Sequence, residues 1–260
     1  MGNGLAKWLI LGGLLVSVFG YLGWRWLRPT STTTTAKGEV PREASAVPSP
    51  AVATDVKSTP VNFGYKLAWV AVRSQHAEKV IQALQLQQVQ PCSWQQGVDS
   101  AYTQQVFVTP PIGEWTLVAG RSLPLVDNAT TLRSAELLLI QLSREFGEAQ
   151  YFYSNRIVET HGWLKAQQGQ LVRAYVYSGE QGETLVSTGK PSTAEPATLV
   201  NTRSTAALRD PNYLDQPQLV TPSEELVMQV AAKWSVDPTE LEARHDIPSQ
   251  GGWRGYYLAK

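Results

Sequence analysis

The 260-residue chain is poor in the residues that staple small domains or bind metal in them. Its one cysteine, Cys92, excludes an intrachain disulfide and a cysteine-built zinc site within the chain. Cys92 follows Pro91 and has no histidine close by in sequence, so it reads as a packing residue and not as a nucleophile. The three histidines, His76, His161 and His245, fall at no spacing that a metal site uses. Charge of one sign is also lacking. Its 22 basic and 22 acidic residues cancel, which removes the electrostatic footprint of a nucleic-acid binder. A phosphate loop is absent as well: "STGKPST", 187–193, has Thr184 where the first glycine belongs and Pro191 at the Ser/Thr position. No cofactor, metal or nucleic acid is expected.

What the chain does have is one long apolar run. From Trp8 to Trp24 there is no charge, aromatic residues stand at both ends, and Lys7, Arg25 and Arg28 can reach outward. A span of about 20 apolar residues crosses a bilayer. Residues 1–28 are therefore expected to be a single-pass transmembrane anchor meeting lipid through residues 5–27. A cleaved signal peptide fits less well, because Val18-x-Gly20 is a poor cleavage site and the run continues to Trp24. Arg25, Arg28, Lys37 and Arg42 orient the soluble part inward, whereas the Thr/Pro/Ser composition of the next segment resembles the stalks of exported domains, so both sides stay open. Residues 29–62 bury too little apolar surface to offset chain entropy and read as a disordered linker. Such a linker holds the domain on the order of 30 Å off the membrane.

From Tyr65 the pattern becomes that of a folded α+β domain, residues 63–190. "YKLAWVAVRS" is a strand. It is followed by a helix with Ala77, Val80, Ile81 and Leu84 on one face and Ser74 as its cap. "QVFVTPP" and "EWTLVAG" are strands joined by a Pro-Pro-Ile-Gly turn. A longer helix follows, with Leu132, Ala135, Leu139, Leu142 and Phe146 as its stripe and Gly147 at its end. V-A-V-R-S at 70–74 and V-A-G-R-S at 118–122 each end a strand before a helix. This suggests a strand–helix–hairpin unit used twice, giving an antiparallel sheet with two helices packed on one face.

The stretch Arg156–Glu180 is a hairpin around "AQQGQ". Gln168 is ill suited to the positive φ of a type I′ turn, so a type I turn with Gly169 in a bulge is expected. That pairs Leu164 with Val172, Gly162 with Ala174, Thr160 with Val176 and Val158 with Ser178. One face is then apolar and helix-covered. On the other, Glu159 faces Tyr177, His161 faces Tyr175 and Trp163 faces Arg173. These six form the candidate binding surface, on a solvent-facing side, for a protein or small ligand. Glu159 beside His161 also permits a hydrolase reading, without a nucleophile nearby in sequence.

Residues 191–220 read as loop. In 221–260, Thr221-Pro-Ser-Glu224 and Asp237-Pro-Thr-Glu240 mark two helix starts, hence a C-terminal helical hairpin whose spacing resembles the helix pair of LysM cell-wall-binding modules, without their strands. The strings "VFVTPPIGEWTLVAGRSLP", "LSREFGEAQYF" and "LVRAYVYSGE" together resemble a family of uncharacterised bacterial proteins, over about Tyr65–Gly189 and on to "WSVDPTEL". The resemblance implies a bacterial setting and no mechanism. The chain is thus expected to be a membrane-anchored, non-catalytic binding domain.

Overall fold

Strand β1, Leu67–Val72, has the sequence LAWVAV, and all six residues are buried. A strand without polar alternation needs cover on both faces. In the computed structural model, which describes residues 56–258, Ala68, Val70 and Val72 enter one core while Leu67, Trp69 and Ala71 enter another on the opposite side. The expected membrane helix and the linker up to residue 55 lie outside the described residues. Among those described, no helix is long and apolar enough to cross a membrane.

After β1 come α1 (Ala77–Ala83), β2 (Gln87–Cys92), α2 (Trp94–Ala101), β3 (Val106–Val108), β4 (Thr116–Ala119) and α3 (Ala129–Phe146). The meander β5 (Glu148–Asn155), β6 (Thr160–Gln167), β7 (Gln170–Ser178) and β8 (Glu183–Thr188) follows. Then come α4 (Thr205–Arg209), α5 (Glu224–Trp234) and β9 (Gly252–Tyr256). The nine strands form one sheet in the order β2-β9-β3-β4-β1-β5-β6-β7-β8, antiparallel at each pairing. The α+β architecture with an antiparallel sheet is as expected.

α1 and α3 do share one face, through Val80, Ile81, Leu138, Leu139 and Leu142. The other face is not open. Trp94 and Val98 of α2, Leu226, Val227 and Val230 of α5, and the stretch around Ala194 and Val200 cover it. Residues 56–62, at the end of the segment whose composition marks it as linker, join this layer: Val56 O accepts from Gly251 N, and Ser58 Oγ accepts from Trp94 N. The cap of α1 also differs. His76 occupies the cap position, and Ser74 Oγ accepts from His76 N at 3.1 Å. At α3, Asn128 accepts from Thr130 N and Thr131 N, and Gly147 ends the helix at φ +83°.

The two similar strand ends lie side by side, Val70 opposite Val118. Only β4 leads through its helix into a hairpin, because α1 leads to edge strand β2 and then to α2. The strand–helix–hairpin unit is therefore not used twice. The C-terminal helical hairpin is also absent. α5, capped by Ser223 and not Thr221, is followed by a single 3-10 turn, Leu241–Ala243. The chain then enters the sheet as β9 between β2 and β3. Asp237 Oδ1 accepts from Thr239 N and Oγ1, which favours a local turn over a helix start.

The hairpin register is displaced by two residues from expectation. Gln168 and Gly169 both have positive φ, +49° and +78°, with Gln167 opposite Gln170, so the turn is the two-residue type thought unsuited to Gln168. The reason is tertiary. Gln168 N donates to Gly147 O and Gly169 N donates to Ser143 Oγ, so the end of α3 holds the turn in its strained conformation. This turn alone would flip every side chain of β7. A bulge opposite Lys165/Ala166 adds the second residue of displacement and restores the faces. Gly162 consequently pairs with Val176 and Leu164 with Ala174, while Val172 at the bulge is 37 % exposed instead of buried.

A Cβ on Gly162 would lie 2.7 Å from Val176 Cγ2 and 2.9 Å from Tyr175 O. Gly162→Ala is expected to destabilise the domain by about 1–3 kcal/mol, through overpacking against a neighbouring strand. Urea unfolding measures this, and an unchanged midpoint would mean that β6 and β7 are not held this closely.

Candidate functional site: the α5 face of the β6–β7 hairpin

Five of the six expected surface residues, His161, Trp163, Arg173, Tyr175 and Tyr177, do lie on one face. That face is buried beneath α5 and residues 191–200, not in solvent. Trp163 and Tyr175 are fully buried, and Arg173, His161 and Tyr177 nearly so. The pairs are His161 opposite Tyr177, Trp163 opposite Tyr175, and Arg173 opposite Lys165. Trp163 stacks on Tyr175 with ring centroids 4.9 Å apart. The expected contact of Arg173 with Trp163 is replaced by Arg173 over the Tyr175 ring and Lys165 over Trp234. Glu159 stands apart from these five. It lies in the exposed β5–β6 turn at φ +45°, and its carbonyl accepts from Gly179 N.

Burying Arg173 is unfavourable unless its charge is paired and its nitrogens find acceptors. Each of the three nitrogens does. Nε donates to both oxygens of Glu195, at 3.1 and 2.9 Å, and Nη2 donates to Oε2. Nη1 donates to Ala174 O and Thr188 O. Glu195 Oε1 also accepts from Ser192 N and Oγ, and Ser192 Oγ in turn accepts from Trp234 Nε1. Burial pushes the Glu195 carboxyl up. The Arg173 hydrogen bond and the Ser192 backbone outweigh that effect and hold it below its ordinary 4.5. Arg173 is thus a structural anchor that ties β7 to the covering segment and to the end of α5.

The same face opens at its other end. Arg156, Glu159, His161, Tyr177, Gly179 and residues 221–225 line a cleft of about 370 Å³. Behind it, Ser154 Oγ lies 3.2 Å from His161 Nδ1 and donates to Glu224 Oε1 at 3.2 Å. A hydroxyl has one proton to give. With that proton on the carboxylate, Ser154 must accept from Nδ1–H, which leaves Nε2 as a bare acceptor. Nε2 has no hydrogen-bond partner among the described residues and is not among the fully enclosed polar atoms, so it faces the cleft. Burial pushes the imidazole below its ordinary 6.5 against the upward pull of Glu225. Tyr177 is raised by burial and then by Glu159.

Ser154, Glu195, Glu224 and Glu225 were not singled out from the sequence. Only Glu224 carried a signal, as the acid of a helix start. Ser154 lies 7 residues from His161 and Glu224 a further 63 beyond it, so no local spacing connects them. No family model matches the chain, and no curated protein or solved structure does either.

Glu195→Ala would strand a buried guanidinium and is expected to cost about 3–5 kcal/mol, read by chemical unfolding. The stabilisation from Glu195 is complete above 4.5 and lost as pH falls through the lower folded value. His161 acts in a separate window. A base held neutral by the fold stabilises fully above 6.5, and that contribution declines as pH falls below it. Unfolding measured from about pH 7 to about pH 5.5 should lose part of its slope in His161→Gln. An unchanged slope in His161→Gln would assign the pH dependence elsewhere.

Proposed function

We propose that the chain is a non-catalytic binding domain of bacterial setting, anchored in a membrane by residues 5–27 and held off it by a flexible linker. The observation that carries the binding reading is the cleft over His161. It is concave and presents an oriented acceptor atom on a rigid strand, and among the described residues no nucleophile is hydrogen-bonded to that atom. A few fixed polar groups in a concavity are what a ligand site needs. The uncharged, mostly apolar run Trp8–Trp24 supports the membrane part.

The hydrolase reading has one observation in its favour. The Glu224–Ser154–His161 chain leaves Nε2 as a base that could act on a water molecule. Its weakness is that Ser154 is fully buried behind the ring. Cys92 is no substitute, since it is buried on edge strand β2 and burial pushes its thiol up to about 11. A separate cell-wall module at the C-terminus draws little support, because α5 and β9 are integral to the sheet and its cover.

The full chain is expected to sediment with membranes and resist extraction by high salt, while a chain lacking residues 1–28 stays in the supernatant. Equal partitioning of the two would remove the anchor. Saturable turnover of ester or amide probes, abolished in His161→Gln, would replace binding by catalysis.

A further inference from the structure

The cleft over His161 also carries a charge pattern that narrows its ligand. Three carboxylates, Glu159, Glu224 and Glu225, line it against the single guanidinium of Arg156. Glu224 is already committed, with one oxygen to Ser154 and the other 3.8 Å from Arg156. Glu159 makes no side-chain hydrogen bond among the described residues. Glu225, near the surface, has its carboxyl held below the ordinary 4.5 by the Ser223 side chain and its own backbone N–H. His161 of β6, 5 % exposed, lines the same cleft, and its Nε2 has no hydrogen-bond partner among the described residues.

We propose that this cleft receives an ammonium group, carried on a lysine side chain or on a small free amine. The inference rests on the binding reading of the same cleft. An ammonium is a donor without an acceptor, and the cleft sets acceptors against it at His161 Nε2, Glu159 and Glu225. An anion would meet the carboxylates and find one exposed guanidinium in return. A metal ion is a poorer fit, since among the described residues no cluster of His, Cys, Asp and Glu is placed to hold one. The volume of about 370 Å³ is at the lower end of ligand pockets, about 300–1,000 Å³, and suits a single side chain or a small amine.

The groups around His161 also set a pH dependence. Glu224 and Glu225 of α5, Tyr177 of β7, Ser154 of β5, and Arg156 and Glu159 of the turn all face it. Protonating Nε2 removes the acceptor and adds a like charge, so amine affinity declines as pH falls below 6.5.

The test uses the full chain with ring-labelled histidine, whose three imidazole resonances are assigned by single His→Gln variants. Butylammonium, an acetyl-lysine-amide peptide, its Nε-acetylated counterpart and butyrate are titrated in turn. The two amines should shift the His161 resonance saturably and leave His76 and His245 in place, and the acetylated peptide and butyrate should not. Glu225→Gln, a change on the outer side of α5, should weaken amine binding about two- to fivefold with the fold unchanged by circular dichroism. Tighter binding of the peptide than of butylammonium assigns the ligand to lysine side chains, and equal binding assigns it to free amines. Equal shifts with butyrate or the acetylated peptide would overturn the ammonium assignment and keep the cleft as a binding site. Silence of His161 towards all four probes would overturn both.

Discussion

The cover over the second face of the sheet depends on one ion pair. Arg173 and Glu195 are each almost entirely removed from water, which is tolerable only because every nitrogen of the guanidinium finds an oxygen and the carboxylate accepts from Ser192. Taken apart, either partner would be an uncompensated buried charge, so neither β7 nor the 191–200 segment has a comfortable conformation without the other. The remaining contacts of the segment follow from this pinning. Tyr175 donates to Val200 O, the Thr184 and Thr202 hydroxyls exchange bonds with each other's backbone, and Arg203 reaches Thr184 O. The stacked aromatic core of Trp69, Phe152, Trp163 and Tyr175 is buried because this layer closes over it.

Much of the first face was legible in the chain. The 3.6-residue stripes of α1 and α3 and the stop at Gly147 are local signals, and they hold. The division of the hairpin into two faces was legible too, though the register was not. Its turn depends on Gly147 O and Ser143 Oγ, and its bulge re-aims β7. Neither device leaves a mark in the five residues of the turn. The second face was misread for a different reason. Arg173, His161 and Glu159 alternate with apolar residues as they would on a wet surface, and only Glu195, 22 residues beyond Arg173, makes burial of the arginine tolerable. A contrary signal was present in β1 and β4, whose uninterrupted LAWVAV and TLVA allow no wet face. The middle of the sheet announces two cores, while its β8 end looks one-sided until the covering loop is placed.

The cleft could not have been found from spacing. Its parts come from the β5–β6 turn, β6, the end of β7 and the residues 221–225 that lead into α5, and they meet because the helix packs on the sheet where the hairpin opens. Arg173 and His161 lie on the same face and have opposite fates. The arginine is closed in with its counter-charge at one end, and the imidazole keeps one nitrogen outward at the other. Local sequence treats them alike as polar residues on a strand.

The position of β9 bears on how the molecule comes into being. It is the last of the described strands to be synthesised, yet it lies inside the sheet, hydrogen-bonded to β2 and to β3. Until it arrives, those two strands border a vacancy one strand wide, about 9–10 Å between them, which neither can close alone. A ribosome that has delivered β4 through β8 could already release a paired meander with α3 laid across it. The β3 flank would still present an unsatisfied edge, of the kind that recruits strands from other chains. The glycine at the start of β9 suits a late arrival. A Cβ on Gly252 would meet Val108 O at 2.3 Å, so the strand enters a slot whose walls are already as close as backbone allows. β9 therefore acts as a keystone, and chains interrupted shortly before it would be the sticky ones.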